Sequence, residues 1–211
     1  ISLGLVGSEM CKETEVDLRL RPNGNSGLLV SSLEAFARYQ RESAWVWEHQ
    51  ALTRARYCAG LRSIEPWFED LRRELLARLR GPAELAREIL DMRHQVAAGH
   101  PNRSELFDLK HDRGGLIDVE FTVQFLVLAH SARHPELLDD VGNITLLERA
   151  ARCGLIPPAL AQAAGDAYRR YRALQHRLRL DDSPYARVPH GHVTEETFSV
   201  TALWLTVFGA D

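Results

Sequence analysis

Leu116-Ile-Asp-Val-Glu-Phe-Thr-Val-Gln-Phe-Leu-Val-Leu-Ala-His-Ser-Ala-Arg133 is the stretch that decides the fold of this chain. Leu116, Ile117, Phe121, Phe125, Leu126 and Leu128 make it apolar on nearly every side, and such a helix has to be wrapped by others. It is therefore read as the central helix of a bundle. Its longest apolar run, Phe121 to Ala129, is interrupted by Thr122 and Gln124 and falls well short of the roughly 20 residues that span a bilayer. No membrane span is predicted.

Outward from this helix the chain reads as helical almost throughout. Trp67, Leu71, Leu75 and Leu79 recur every fourth residue after Glu65-Pro66, and Gly81-Pro82 is the expected stop. Leu85, Ile89, Met92 and Val96 form a second apolar stripe. Asn143 is expected to cap a short helix through Leu146, Leu147 and Ala150 that Gly154 closes. Pro157-Pro158 then opens the longest helix, whose seam is Leu160, Ala164, Ala167, Tyr171, Leu174 and Leu178. Thr194 is expected to cap a last helix bearing Phe198, Leu203 and Phe208, and Pro184 and Pro189 bracket the loop before it. Near the start, Ser31-Ser-Leu-Glu34 fits a capping box that opens a helix with Leu33, Phe36 and Ala37 inward. Strand-like patterns are confined to the first thirty residues and Leu106 to Leu109. The fold class is therefore mostly α: a helical bundle over residues 31–211 after a small β segment at residues 1–30.

With 211 residues, 45% of them hydrophobic, the chain can bury a real core. A formal charge of -3 provides no global attraction to nucleic acid, so a protein or small-molecule partner is expected. Cys11, Cys58 and Cys153 lie far apart with no Cys-x-x-Cys pair, which fits a reducing, cytoplasmic setting. The start, Ile1-Ser-Leu-Gly-Leu-Val-Gly7, has neither an initiator methionine nor the basic flank of a signal peptide, and a piece of a longer protein is expected.

Three stretches carry candidate chemistry. In Glu15-Val-Asp-Leu-Arg-Leu-Arg-Pro22, strand alternation puts Asp17, Arg19 and Arg21 on one face. A carboxylate holds a hard divalent cation and guanidinium forks grip phosphate, so the triplet suits ATP with magnesium. The alternative is a salt ladder on a half-buried edge strand. The second stretch is Asp108-Leu-Lys-His-Asp-Arg-Gly-Gly-Leu-Ile-Asp-Val-Glu-Phe121. Gly114 and Gly115 let backbone amides approach an anion at a helix N-terminus, and Lys110 and Arg113 add grip on phosphate. Asp118 and Glu120 point to nearly opposite sides of the helix, so one can face a cleft while the other bonds internally; spacing does not choose between them. The alternative reading is a tight turn with acids that complement the helix dipole. The third stretch is Trp45-Val-Trp-Glu-His-Gln-Ala-Leu-Thr-Arg-Ala-Arg56, where the tryptophans are read as packing and Glu48 and Arg54 as the better polar candidates. His130 and His134 have the i,i+4 spacing of helical metal ligands, but no acid or cysteine stands where it would complete a site. His190-Gly-His192 is read as a loop. The stripe Arg169, Arg170, Arg172, Arg177 and Arg179, partly offset by Asp166, Asp181 and Asp182, is read as a solvated face.

With these blocks in view, the chain resembles the bacterial glutamine synthetase adenylyltransferase/deadenylase family, also called glutamate-ammonia-ligase adenylyltransferase. The resemblance rests on Val16-Asp-Leu-Arg-Leu-Arg-Pro-Asn-Gly-Asn-Ser-Gly-Leu-Leu-Val-Ser-Ser-Leu33, on Trp45 to Arg56, and on Gly114-Gly-Leu-Ile-Asp-Val-Glu-Phe121. That family carries two nucleotidyltransferase units of the polymerase-beta type, each followed by a helical domain. One unit removes AMP from a tyrosine of glutamine synthetase and the other attaches it. The resemblance implies that residues 1–30 are the C-terminal strands of a truncated nucleotidyltransferase domain and residues 31–211 its helical bundle domain. Leu203-Trp-Leu-Thr-Val-Phe-Gly209 resembles the family's carboxyl terminus, which points to the adenylylating half. By the same resemblance Asp17 is a catalytic, metal-holding carboxylate. Arg19, Arg21 and the Gly114, Gly115, Asp118, Glu120 block line the nucleotide cleft, joined by Lys110 and Arg113 on the phosphates. Magnesium and ATP, the partners glutamine synthetase and the PII signal protein, and regulation by glutamine are likewise implied, with no effector site located. One departure stands out: no Asp-x-Asp lies upstream of Asp17, and Gly7-Ser8 leads only into Glu9-Met-Cys-Lys-Glu-Thr-Glu15. Two metals about 4 Å apart need several carboxylates, so the isolated chain is expected to be inactive. The alternatives are a non-catalytic helical docking or regulatory domain, and a fragment of a PII-protein uridylyltransferase that shares the glycine-acid block.

Overall fold

The computed structural model describes Pro22 and residues 27–139 and 141–209. Asp17, Arg19 and Arg21 lie outside the described residues. The chain divides into two compact units at Ala44–Trp45. In the first unit, α1 (Leu33–Glu42) starts at Ser32, whose Oγ accepts the Ala35 amide at 3.2 Å. The cap thus sits one residue later than Ser31, and Glu34 lies in the first turn without closing a box. Ala37 and Gln40 form the buried stripe, while Leu33, expected inward, is exposed in the first turn.

The second unit contains α2 (Val46–Leu52), α3 (Ile64–Leu76), α4 (Pro82–Gly99), β1 (Phe107–Asp108), α5 (Leu116–His130), a 3-10 turn (Pro135–Leu138), α6 (Asn143–Arg152), α7 (Pro158–Leu180), β2 (Arg187–Val188), a second 3-10 turn (His190–His192) and α8 (Thr194–Phe208). As expected of a helix apolar on nearly every side, α5 is central and packs against α2, α4, α6, α7 and α8. Val119, Val123, Leu126, Val127 and Leu128 of α5 are buried, with Leu75, Leu76, Ile89, Leu147 and Leu203 of the surrounding helices. Each such side chain contributes about 1.5–3 kcal/mol relative to exposure. The described residues are mostly helical, in agreement with the reading of the sequence.

Several boundaries differ from expectation, each for a tertiary reason. α3 ends at Leu76, and Leu79 is 85% exposed. The Arg80 guanidinium reaches back to the carbonyls of Leu75, Leu76 and Arg78 at 2.9, 3.2 and 3.2 Å and satisfies the helix end. Burial, with Arg78 beside it, pushes the Arg80 pKa down to about 10. Gly81 and Pro82 are the cap and first residue of α4, a start signal where a stop was expected. Asn143 is inside α6 and buried, with Gly142 at the cap, and Thr194 is inside α8, with Val193 at the cap. Phe198 is 77% exposed because the buried stripe of α8 runs through Val200, Leu203 and Trp204. Gly154 does close α6, with φ +73 and the Leu155 amide bonded to the Ala150 carbonyl at 2.9 Å.

Two interactions could not be read from periodicity. β1 falls within the expected Leu106 to Leu109 stretch, but its antiparallel partner β2 lies in the segment read as a loop; Phe107 pairs with Val188 and Asp108 with Arg187. Arg72 is 1% exposed and donates to the carbonyls of Leu52, Thr53 and Leu138 at 2.9, 3.1 and 2.7 Å. One guanidinium, with five donors, thereby ties α2, α3 and the first 3-10 turn together. On α7 the buried residues are Ala161, Ala164, Gly165 and Ala167, small enough to admit α6 and α8 closely, and the large Tyr171; beyond Tyr171 cover thins and Leu180 is 86% exposed. Of the arginine stripe, Arg170 is drawn toward α8 by Glu196 at 3.0 Å and the His192 carbonyl at 2.8 Å.

Candidate functional site

The turn from Leu109 to Gly115 is built by carboxylates on backbone amides. Asp108 Oδ1 accepts the amides of Lys110 and His111, each at 3.0 Å. Asp112 Oδ2 accepts the Asp108 amide and the Asn102 side chain, each at 2.8 Å. Gly114 has φ +83, and a Cβ there would stand 2.8 Å from Thr197 Cγ2 and 3.0 Å from the Thr197 carbonyl oxygen. A Cβ on Gly115 would stand 2.9 Å from the carbonyl oxygens of both Asp112 and Leu109. The glycine pair is thus required by close packing of the turn on itself and on α8.

The start of α5 would ordinarily leave amides free for an anion. Here the Gly114 amide donates to Asp118 Oδ2 at 2.6 Å, that of Gly115 to the Asp112 carbonyl at 3.0 Å, and that of Leu116 to the Leu109 carbonyl at 2.9 Å. The amides of Ile117 and Asp118 bond to the carbonyls of Lys110 and Gly115, each at 3.2 Å. The phosphate cradle expected from Gly114 and Gly115 is therefore not offered by their amides. Tyr171 Oη, buried in α7, donates to the Gly114 carbonyl at 3.0 Å and anchors the same turn.

Asp118 and Glu120 go to opposite sides, as their spacing required. Asp118 is 2% exposed and makes the internal bond: Arg93 Nε of α4 donates to Oδ1 at 2.5 Å, and Arg93 also donates to the His111 carbonyl at 2.8 Å. Burial pushes the Asp118 carboxyl up, against the pull of Arg93 and the Gly114 amide. Beside this pair opens a cavity of about 250 Å³, onto which Arg93, His111, Asp112, Arg113, Asp118 and Trp204 face. Lys110 is exposed and lies outside that lining.

Glu120 looks the other way, into a polar wall made by four helices and the end of one. Tyr168 of α7 donates to Glu120 Oε1 at 2.9 Å and is also bonded to the Asn143 side chain. Arg54, just past α2, donates to Asn143 Oδ1 at 2.9 Å, and Gln50 of α2 donates to Gln124 Oε1 at 2.8 Å. Burial and the adjacent Glu120 push the Tyr168 hydroxyl up to about 12, so it remains a donor. Arg54, a sequence candidate, is part of this wall. Glu48 is not: it accepts the Trp45 amide at 2.8 Å and caps α2. Trp45, expected in packing, is 68% exposed because it precedes the helix and stays off its inner face; Trp47 is half-buried.

Two of the quoted sequence blocks, Trp45 to Arg56 and Gly114 to Phe121, thus meet in space across α2 and α5. Known protein families match the stretches that contain both blocks. The signature of glutamate-ammonia ligase adenylyltransferase matches residues 13–70, and that of the GlnD PII-uridylyltransferase matches residues 84–185. The bifunctional glutamine synthetase adenylyltransferase/adenylyl-removing enzyme of Burkholderia pseudomallei is 57% identical over 202 residues, covering 93% of this chain and 22% of that protein. The enzyme of the same name from Bordetella bronchiseptica is 57% identical over 193 residues, covering 92% of this chain and 20% of its own length. That of Nitrosomonas europaea is 49% identical over 209 residues, again 92% of this chain and 22% of the relative. The chain belongs to the glutamate-ammonia ligase adenylyltransferase family. It spans about a fifth of the length of these relatives.

In this member of the adenylyltransferase family, the structure brings Arg113, Gly114 and Asp118 to one side of α5 and Glu120 to the other. Arg93, Gln50, Gln124, Asn143 and Tyr168 were missed by the sequence reading. A signal existed for two of them. Arg93 stands four residues after Ile89 on the apolar stripe of α4 and Gln124 four after Glu120 on α5, so each polar group shares a helix face with that neighbour.

The Asp108–His111 contact, at 3.3 Å, makes the turn sensitive to acid. Burial holds His111 below the ordinary imidazole value of 6.5, outweighing Asp108. Burial pushes Asp108 up, but the His111 and Lys110 amides, the His111 ring and Arg187 outweigh it and hold the carboxyl below 3.8. Both folded values are depressed, so the unfolded chain binds more protons and stability falls as pH falls. The melting temperature is expected to drop from about pH 6.5 downward, first through His111 and then through Asp108. His111→Gln should flatten the upper part of that decline in thermal unfolding across a pH series.

Proposed function

We propose that the protein containing this chain transfers AMP from ATP to a tyrosine of glutamine synthetase, and that the chain belongs to the C-terminal, adenylylating half. Residues 1–30 are then the last strands of the nucleotidyltransferase domain and residues 31–211 its helical domain. The observation that carries this reading is the match to relatives named as glutamine synthetase adenylyltransferases over 93% of the chain, at 57% identity. The convergence of two matching blocks on the Gln50–Gln124 and Glu120–Tyr168 wall supports it.

In this reading the tyrosine oxygen of glutamine synthetase attacks the α-phosphorus of ATP. The bond to the pyrophosphate oxygen breaks, pyrophosphate leaves, and the phenolic proton is lost to solvent. Arg19, Arg21, Lys110 and Arg113 are assigned to the phosphates and Glu120, the acid that is not in the internal pair, to the wall of the nucleotide site, while Gly114, Gly115 and Asp118 hold the turn that begins α5. Arg93 positions Asp118, and Tyr168 positions Glu120. Asp17 is assigned as the carboxylate for magnesium. Asp118 does not itself fit that ion: both of its oxygens are committed to Arg93 and Gly114. Glutamine synthetase and the PII signal protein are the partners, and the setting is cytoplasmic. Among the described residues no helix is long and apolar enough to cross a membrane.

The test incubates glutamine synthetase with ATP and magnesium, with either the 211-residue chain or a version extended upstream through an Asp-x-Asp core, and measures intact mass. An AMP adduct from the extended version alone is expected. In that version Asp17→Ala should reduce transfer by at least about 100-fold while leaving thermal unfolding nearly unchanged, the scale at which loss of transition-state charge stabilisation is felt. Adduct from neither protein favours the docking domain or the adenylyl-removing half. The match of residues 84–185 to the PII-uridylyltransferase signature supplies a second reading. A UMP adduct on the PII protein from UTP, with none on glutamine synthetase from ATP, would establish it.

A further inference from the structure

We propose that His134, Glu136 and Cys153 form a binding site for a borderline-soft divalent metal ion, zinc first, away from the polar faces at the start of α5. Their ligand atoms lie within 4.8 Å of one another. Cys153 Sγ stands 3.0 Å from Glu136 Oε1, and His134 Nδ1 stands 3.8 Å from the same oxygen. Tetrahedral zinc with bonds of about 2.0–2.3 Å separates its ligand atoms by roughly 3.3–3.8 Å, so the observed separations, none above 4.8 Å, close on an ion with side-chain shifts of about 1 Å or less.

The three groups come from two segments that the fold already holds together. His134 follows the end of α5, where its amide bonds to the His130 carbonyl at 2.9 Å. Glu136 sits on the 3-10 turn, which Leu137 and Leu138, 1% and 5% exposed, pin to the core. Cys153 caps α6 through its amide to the Arg149 carbonyl at 2.9 Å. Arg149 bonds both the Glu136 carbonyl and the Asp139 carboxylate, so the turn is clamped to α6 before any ligand arrives. The sequence spacing of His130 and His134 pointed elsewhere: the acid and the thiol that complete a set with His134 become neighbours only through the docking of α6.

The donor set is selective. Imidazole nitrogen, thiolate sulfur and carboxylate oxygen suit zinc, and magnesium, which takes oxygen, is a poor fit. On binding, the Cys153 thiol gives its proton to solvent as the sulfur–metal bond forms. Thiolate and carboxylate then balance the dication. His134 and Glu136 are partly exposed, at 29% and 49%, which leaves a fourth position for water. The ion would act as a clip joining the turn after α5 to the end of α6.

The test titrates the metal-free, reduced 211-residue chain with cobalt(II) and follows the thiolate-to-cobalt charge-transfer absorption. One equivalent is expected to saturate it, with zinc displacing cobalt and magnesium having no effect. Cys153→Ser should abolish the band and His134→Ala should weaken binding at least about 10-fold, as disturbed ligand sets do; Cys58→Ser should change nothing. Far-UV circular dichroism establishes that the variants are folded, and zinc protection of Cys153 from alkylation, located by peptide mass, tests the site without any mutation. No band, a band that survives Cys153→Ser, or alkylation of Cys153 indifferent to zinc would overturn the proposal.

Discussion

Asp118→Ala is expected to destabilise the second unit by about 3–5 kcal/mol, the cost of leaving one member of a buried ion pair without its partner. Arg93 is 7% exposed and Asp118 2%, so loss of the 2.5 Å bond leaves a guanidinium that is largely withdrawn from water. The same change leaves the Gly114 amide without its 2.6 Å acceptor at a buried turn. Arg93→Ala should cost a comparable amount and additionally release the His111 carbonyl. The double change Arg93→Met with Asp118→Leu is expected to recover part of the loss, because replacing both charges by apolar groups removes the desolvation penalty. Urea unfolding of the two single variants and the double variant measures this as a coupling energy. Losses below about 1 kcal/mol in both single variants would mean that the pair does not hold α4 to α5.

Gly114→Ala carries the second largest expected effect. At φ +83 any side chain is strained, by about 1–3 kcal/mol, and the new Cβ would stand 2.8 Å from Thr197 Cγ2 and 3.0 Å from the Thr197 backbone oxygen. Forcing α8 away from the turn adds a further cost of about 1–3 kcal/mol. Gly154→Ala isolates the strain, because Gly154 also has positive φ, +73, but nothing lies within 4 Å of its missing Cβ. A larger loss of melting temperature in Gly114→Ala than in Gly154→Ala therefore measures the packing of the turn on α8. Equal losses would show that α8 yields freely. Gly115→Ala, with two carbonyl oxygens at 2.9 Å, should resemble Gly114→Ala despite its ordinary φ.

Much of the bundle was legible because burial imposes a period on the sequence. The run at Leu116 to Arg133, apolar on nearly every side, required a central helix, and α5 packs against five others. The long helix after Pro157-Pro158 and the closure at Gly154 followed from local backbone chemistry. Helix ends were read less well where a distant group serves as the cap: the Arg80 guanidinium ends α3 four residues before Arg80 itself, and no propensity encodes that reach. Gly81-Pro82 is a clear signal, yet whether it closes one helix or opens the next depends on that cap.

The candidate site divides in the same way. The sequence by itself determined that Asp118 and Glu120 face apart, because helix geometry forces residues two apart to opposite sides. It also determined the family, through relatives such as one that is 57% identical over 202 residues, 93% of the chain. Only the tertiary structure decided which acid is internal, because Arg93 lies 25 residues away and meets Asp118 once α4 docks on α5. Only the tertiary structure showed that the Gly114 and Gly115 amides are already bonded, that Tyr168 reaches Glu120 from 48 residues away, and that Cys153 reaches Glu136 from 17. Local sequence fixes backbone period and the direction of each side chain; the partners those side chains meet depend on which helix faces pack, and that is set by the burial of the whole apolar surface together.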